Sequence, residues 1–439
     1  MLKSSANRKT TDTTLGNGLR VVVVQAPGAP LAELRLVLPY ARTAPHLSTA
    51  QELLAACLGT GTATGGSTGG GSGTGGSTRQ EIADRAADLG AELSTVVTAE
   101  SLIMATSVLS AGLPGALELL ADLLLRPAYR EPELALAQRR TAAAPRVPGA
   151  RQRLRRALLS RAFGNHPLMD PPAEPTAPRT GDLYDLHARA VVPGGAVLLV
   201  MARDEPDEVT ALVHERLEGW AGGPSGLVLP PFARREPLPG RIALPCGTTP
   251  PGSGQALVLT AGPAVPATDP GHAPLHLAQL VLGGYASSLL ARRVRDRHGL
   301  AYAVSAAIRG NRAGSWLEIE CAGAPGTAGR IAEEITDCLR ELSGDGPAPR
   351  EVDRARAYAT GFTRFALATR TEEASALAGF AAAGLPLDWL QFYRDTLTEV
   401  TYAHVADAAA RFLDPSKALI ATLDEEEVAE DEESDRWPQ

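Results

Sequence analysis

The chain has 439 residues, 44% of them apolar and 21% charged, with a formal net charge of −8. These are the values of a globular protein with material for two domains and ample cores. No run approaches the roughly 18 apolar residues of a membrane span, and neither a membrane nor a nucleic acid is expected as a partner. The opening MLKSSANRKTTDTT has no apolar signal-peptide core, so the expected location is cytoplasmic. Cys57, Cys246, Cys321 and Cys338 show no CxxC spacing and read as small buried apolar residues. The segment DEEEVAEDEESDR holds nine acids and one arginine, which equals the whole net charge. Residues 424–439 are therefore expected to be a solvated acidic tail. Between Glu133 and Asp170 the bias reverses, with eight arginines and no acid. That stretch, centred on 139–161, is either a basic helix face or an electropositive wall for an acidic peptide.

In chain order, Asn17-Gly18 is a tight-turn signal before a first strand, Leu19–Gln25. Ala32, Leu34, Leu36 and Leu38 alternate with Glu33, Arg35 and Val37, predicting a second strand with one buried face. Ser48 followed by Gln51 has capping-box spacing and starts a helix that ends at Gly59. Residues 59–78 are a low-complexity Gly/Ser/Thr loop, read as a tolerated insertion or as a functional loop. A helix at RQEIADRAADLG, strands Ala91–Val97 and Ser101–Leu109, an amphipathic helix through Leu113–Leu124 and a helix from Glu131 follow. His166 lies in FGNHPL and reads as structural, and Gly194–Ala202 is a buried strand. Residues 221–240, dense in Pro and Gly, mark a linker. The order then restarts: strands Arg241–Cys246 and Gln255–Thr260, helix His272–Leu282, strands Tyr302–Arg309 and Ser315–Cys321, helices Thr327–Leu342 and Pro349–Ala382, and strand Lys417–Leu423.

Within the second half, GGYASSLLARRVRDRHGLAY places Arg295 at a helix end and Tyr302 seven residues on, across a turn at Gly299. A guanidinium and a phenol so placed can clamp a carbonyl or carboxylate, or serve structure alone. His272 and His276 are four apart, but Pro274 and the lack of a third donor argue against a metal there.

The pattern Gly283-Gly284-x-x-Ser287-Ser288, followed by Arg295 and Gly299-Leu300-Ala301-Tyr302, resembles the C-terminal half of the insulinase/pitrilysin family of inverted zinc peptidases. The strand, strand, helix, Gly61-Thr62 opening resembles the family's beginning, and the resemblance spans roughly 14–423. It implies that Arg295 and Tyr302 hold substrate and stabilise the oxyanion, with Gly283, Gly284, Ser287 and Ser288 as substrate-binding positions. It also implies an HxxEH helix, where this chain has Glu52, Ala55 and Ala56, and a third ligand, where it has Ala143 and Ala144. A methyl group neither ligates zinc nor takes a proton from water, and no HxxEH or HExxH occurs in the chain.

The expected fold is α+β: two homologous α/β sandwich domains, each an antiparallel-rich mixed sheet with helices packed on one face. The expected division is 1–220, a linker at 221–240, 241–423, and the tail. The expected function is the noncatalytic, substrate-binding subunit of a heterodimeric zinc metalloendopeptidase that cleaves unfolded peptides, such as a ribosomal peptide precursor. This chain would hold no cofactor; zinc would sit in an HxxEH-containing homologous partner. The alternative is a structural or peptide-binding scaffold without a proteolytic role.

Overall fold

The computed structural model describes residues 8–63, 76–143, 149–169, 177–245, 254–365 and 367–424. In chain order its elements are β1 (Thr10–Thr14), β2 (Arg20–Gln25), β3 (Leu31–Pro39), α1 (Ser48–Cys57), α2 (Arg79–Asp88), β4 (Glu92–Val97), β5 (Ser101–Leu109), α3 (Leu113–Leu125), α4 (Glu131–Ala143), α5 (Ala150–Phe163), α6 (Thr180–Ala190), β6 (Val197–Ala202) and α7 (Pro206–Leu217). They continue with β7 (Gly240–Pro245), β8 (Ala256–Pro263), α8 (His272–Gln279), β9 (Ala301–Asn311), β10 (Gly314–Gly323), α9 (Ala328–Gly344), α10 (Pro349–Phe365), α11 (Arg370–Ala382), α12 (Trp389–Glu399), α13 (Tyr402–Phe412) and β11 (Leu419–Asp424).

The chain forms two compact units. The first is Met1–Arg146, His166–Pro231 and Thr360–Asp395; the second is Val147–Asn165, Phe232–Ala359 and Thr396–Gln439. The changeover at Pro231/Phe232 falls inside the Pro/Gly segment. The contiguous division needs correcting elsewhere, because α5 belongs to the second unit and α11 to the first.

The first unit is a six-stranded sheet in the order β1-β2-β6-β3-β5-β4. Its β2–β6 pair is parallel, and its other pairs are antiparallel. Gly18, at φ +91°, makes the turn into β2, and the Asn17 amide ties that turn to the Leu217 and Trp220 carbonyls. Period-two alternation sends Leu34, Leu36 and Leu38 into a core shared with Leu53 and Leu54 of α1, Leu117 of α3 and Leu183 of α6.

The opposite face was expected to meet solvent. Instead Ala374, Ala378 and Ala381 of α11 pack there against Val22, Val37 and Leu199. Glu33 and Arg35 are consequently 1% and 4% exposed, paired at 2.8 Å, with Thr371 and Ser375 of α11 bonded to them. The alternation is real; a helix more than 300 residues away in sequence supplies the cover.

The second unit repeats the plan in the order β7-β11-β8-β10-β9, again with one parallel pair, β7–β11, beside antiparallel ones. The amphipathic α9 places Ile331, Ile335, Cys338 and Leu342 inward at helical spacing. Cys321 of β10 and Cys338 of α9 are buried, which raises their thiols to about 12 and about 11. Residues 318 and 320 of β10 point the other way, towards α5, where Arg155 pairs with Glu318 at 2.5 Å and Arg151 with Glu320 at 2.5 Å. Leu154 and Leu158 of α5 are fully buried, each contributing roughly 2 kcal/mol. Phe163 stacks on Phe232 with ring centroids 4.3 Å apart. Each sheet thus has the expected helical layer, and one further helix on its second face.

Two local expectations are corrected. Pro349–Ala382 is two helices, because Thr369 forms a reciprocal capping box with Glu372 and restarts the chain as α11. Conversely, Ser48 is no capping-box residue: a 3₁₀ turn at Pro45–Leu47 runs straight into α1, and the Ser48 hydroxyl donates back to the Pro45 carbonyl. Gln51 instead donates to the Tyr40 and Ala41 carbonyls, fastening α1 to the end of β3.

Candidate functional site

In the second unit α8 runs into a π-helical turn, Leu280–Gly284, and a second such turn, Ala291–Arg297, precedes β9. Such turns recur at functional sites. Gly299, at φ +61°, ends the second turn in the left-handed region, with its N–H on the Arg295 carbonyl at 3.1 Å. That reversal delivers Tyr302 to β9, the edge strand of its sheet, where it is 66% exposed. Its phenol has no side-chain partner among the described residues. Arg295 is half-exposed, donating from Nη2 to the Ala286 carbonyl at 2.9 Å and from Nε to Asp296 at 2.8 Å. Its guanidinium is thereby oriented on backbone before any ligand arrives, and the Asp296 hydrogen bond raises its pKa further.

The rest of the motif serves packing. A Cβ on Gly283 would stand 2.8 Å from Ala306 Cβ and 3.1 Å from Ala306 N, so its hydrogen lets the turn lie against β9. A Cβ on Gly284 would meet Gln279 Nε2 at 2.6 Å; that buried amide donates to the Ala306 carbonyl at 2.6 Å. Ser288, expected to bind substrate, is 1% exposed, and its hydroxyl accepts from Ala291 N at 3.4 Å. It is a structural cap and not a surface group. Ser287 is exposed, and its carbonyl accepts from Arg292.

In the first unit Glu52 and Ala56 lie on the exposed side of α1, Ala55 is half-buried, and Ala143 is exposed at the end of α4, which packs against α1. Ala144 lies outside the described residues. Glu52, Ala55, Ala56 and Ala143 offer one carboxylate and three methyl groups, a set that does not fit a metal. Among the described residues no three His, Cys, Asp or Glu groups come together as a metal site. The loop at 59–78 is tied at its base: Thr62 N donates to the Ser77 carbonyl and Arg130 to the Gly76 carbonyl, while residues 64–75 lie outside the described residues. So do Cys246, Arg146 and the tail beyond Asp424.

The remaining candidates are structural. His166 is buried with Nε2 on the Pro230 carbonyl. His272 donates to the Val265 carbonyl, and burial brings His276 down to about 4. Of the arginine-rich segment, Arg151 and Arg155 are taken up by Glu320 and Glu318. A buried pair that the sequence did not signal is Tyr129–His187: His187 Nε2–H donates to the Leu124 carbonyl, so Nδ1 accepts from the Tyr129 hydroxyl at 2.7 Å. No spacing announces it, because its members come from α6 and the segment after α3.

Residues 180–358 match the family model of the peptidase M16 inactive domain. That segment, 179 of the 439 residues, is similar to the inactive domain of M16 peptidases. A peptidase M16 inactive domain from Pseudomonas fluorescens superposes with a TM-score of 0.80 at 22% identity, over 95% of this chain and 98% of that one. A protease from Helicobacter pylori superposes with a TM-score of 0.80 at 16% identity, over 95% and 99%. At these identities the likeness establishes the fold. Among curated proteins no sequence matches. Among the described residues no helix is long and apolar enough to cross a membrane. Tyr302 lies on an edge strand and Arg295 on the turn before it, with Asp296 2.8 Å from Arg295 and His298 of the same turn region 3.4 Å from Glu334 of α9.

Proposed function

We propose that this chain is an M16-type noncatalytic, peptide-binding subunit of a zinc metalloendopeptidase, completed by an HxxEH-containing homologue. One observation carries the reading: Arg295 and Tyr302 are held exposed on rigid elements, while α1 presents Glu52, Ala55 and Ala56 where metal and base would be needed. The substrate is an unfolded peptide, bound by its backbone as an added strand. Arg295 and Tyr302 hold its carbonyl, the task of preorganised donors rather than of a base. Metal and base come from the partner; a precursor-maturation substrate suits such a pair.

The test is cleavage of an unstructured reporter peptide by this chain, by the HxxEH homologue and by the mixture, with zinc assayed in each. Activity in the mixture alone is expected, with zinc only in the homologue. Arg295→Ala and Tyr302→Phe should each lower turnover about 100-fold, the scale of one oxyanion donor, with assembly intact. Unchanged turnover would sink the role given to these two residues. The second reading, a scaffold, is favoured by Gly283, Gly284 and Ser288, whose presence packing alone explains. It predicts assembly without any dependence of turnover on Arg295.

A further inference from the structure

The loop that orients Arg295 also carries a second pair of donors. Arg295 donates from Nη2 to the Ala286 carbonyl at 2.9 Å, and Arg292 donates from Nη1 to the Ser287 carbonyl at 2.9 Å. Tyr285 precedes Ala286, one Cα step of about 3.8 Å away. Its half-buried ring lies against the ring of Tyr358 on α10, with centroids 5.4 Å apart and planes tilted by 35°. Arg292 fastens α10 to the same loop, donating from Nη2 to Glu351 at 2.6 Å. Glu351, Arg354 and Tyr358 follow at steps of three and four residues and so share one face of the helix. That face turns to the loop, because its first member bonds Arg292 and its last meets Tyr285. Arg354 stands between those two contacts. Of the charges acting on the Tyr285 phenol, that of Arg354 is the strongest, ahead of Glu351 and Arg292, and burial raises the phenol so that it keeps its proton as a donor.

The acids nearby are already engaged or point elsewhere. Glu351 is taken by Arg292, Asp353 by Arg356 at 2.6 Å and Asp296 by Arg295 at 2.8 Å, which accounts for every acid of α10 and of the 291–297 turn. On α9, Glu334 and Glu341 are taken by Arg293 and Asp337 by Arg340, while Glu333 is exposed. Glu399, at the end of α12, is exposed as well. Neither Glu333 nor Glu399 pairs with Arg354, which is exposed and makes no hydrogen bond or ion pair among the described residues. Arg350, one turn earlier, is likewise unpaired there and adds to the positive charge. The Tyr285 hydroxyl also has no hydrogen-bond partner among the described residues. A guanidinium and a phenol, adjacent and both unengaged, match a carboxylate.

We propose that Tyr285 and Arg354 form a subsite for an acidic side chain, Asp or Glu, of the peptide whose carbonyl is held by Arg295. This rests on the peptide-binding reading above. An extended peptide advances about 3.3 Å per residue and repeats a face every second residue, which sets the acid within about three residues of that carbonyl.

The test measures binding to the full chain of a labelled unstructured peptide with glutamates at alternate positions, and of its twin with glutamines there. At low ionic strength the acidic peptide should bind about fivefold more tightly, the scale of the stronger exposed ion pairs. Arg354→Gln should bring the two peptides level, and Tyr285→Phe, which keeps the ring, should about halve the preference. Arg203→Gln, at an exposed arginine of the first unit, should leave it unchanged. A preference that survives Arg354→Gln, or that falls equally in Arg203→Gln, overturns the proposal. A second arm needs no peptide: phenylglyoxal modification of arginines, read by mass spectrometry, with N-acetylglutamate α-amide or N-acetylglutamine α-amide present at matched ionic strength. The glutamate compound should slow the reaction of Arg354 about twofold and that of Arg203 not at all. Slowing of Arg354 without binding of either peptide would keep the carboxylate site and refute the peptide reading. Equal binding of both peptides with no slowing of Arg354 would keep that reading and refute the site. Absence of both effects overturns both.

Discussion

On the second face of the first sheet, Glu33 and Arg35 stand two residues apart on one strand and are both buried beneath α11. On the second face of the other sheet Glu318 is just as buried, but its arginines, Arg155 and Arg309, are 36% and 47% exposed. The scaffold is the same and the carboxylate sits in the same layer, yet the partner differs in its access to water. A buried pair binds each member to the other, because removing one strands a charge; a half-exposed partner returns to solvent. The connection from β3 to β4 in the first unit and from β8 to β9 in the second shows a similar divergence. In the first unit it is α1 with Glu52, Ala55 and Ala56; in the second it is α8 and the turns that present Arg295.

The largest expected effect follows from the first contrast. Glu33→Ala should cost about 3–5 kcal/mol in urea unfolding, since Arg35 is left charged and buried, whereas Glu318→Ala should cost about half as much. Equal costs would mean that the exposure of Arg155 and Arg309 does not matter.

Next in size is acid sensitivity in the second unit. Burial, reinforced by neighbouring His272, lowers His276 to about 4 from an ordinary value near 6.5, so the unfolded chain binds the proton first as pH falls. Stability is full above about 6.5, is lost as pH falls towards 4 and levels off below, with a total of at most about 3 kcal/mol. His187, lowered mainly by burial, acts with the same sign in the first unit. Denaturation midpoints between pH 7 and about 4 should therefore show a shallower fall in His276→Gln than in the parent chain.

Smaller again is the contrast between two glycines of one motif. Gly283→Ala forces a methyl onto Ala306 and should cost about 1–3 kcal/mol, while Gly299→Ala meets no atom and pays only for its positive φ, about 1 kcal/mol. The reverse order of melting temperatures would contradict the packing role given to Gly283. At the bottom of the scale, Tyr302→Phe and Arg297→Ala should leave stability within about 0.5 kcal/mol, since neither side chain has a partner among the described residues. A larger loss would mean that these side chains serve the fold.

Much of this architecture was legible locally. Alternation marked β3, helical spacing of leucines marked α3, and Asn17-Gly18 marked the turn into β2, because each depends on residues a few positions apart. That positions 55, 56 and 143 carry alanines, with no donor atom, was legible for the same reason. The break before α11 was also written locally, as Thr369 and Glu372 at capping-box spacing, and was hidden only by the helical pattern on both sides. Tertiary structure alone decided that Glu33 and Arg35 are buried, that α5 and α11 each cover the sheet of the unit to which they belong, and that Ser288 faces inward. Burial and adjacency of this kind are set by segments hundreds of residues apart, and local spacing carries no record of which distant helix will cover a face.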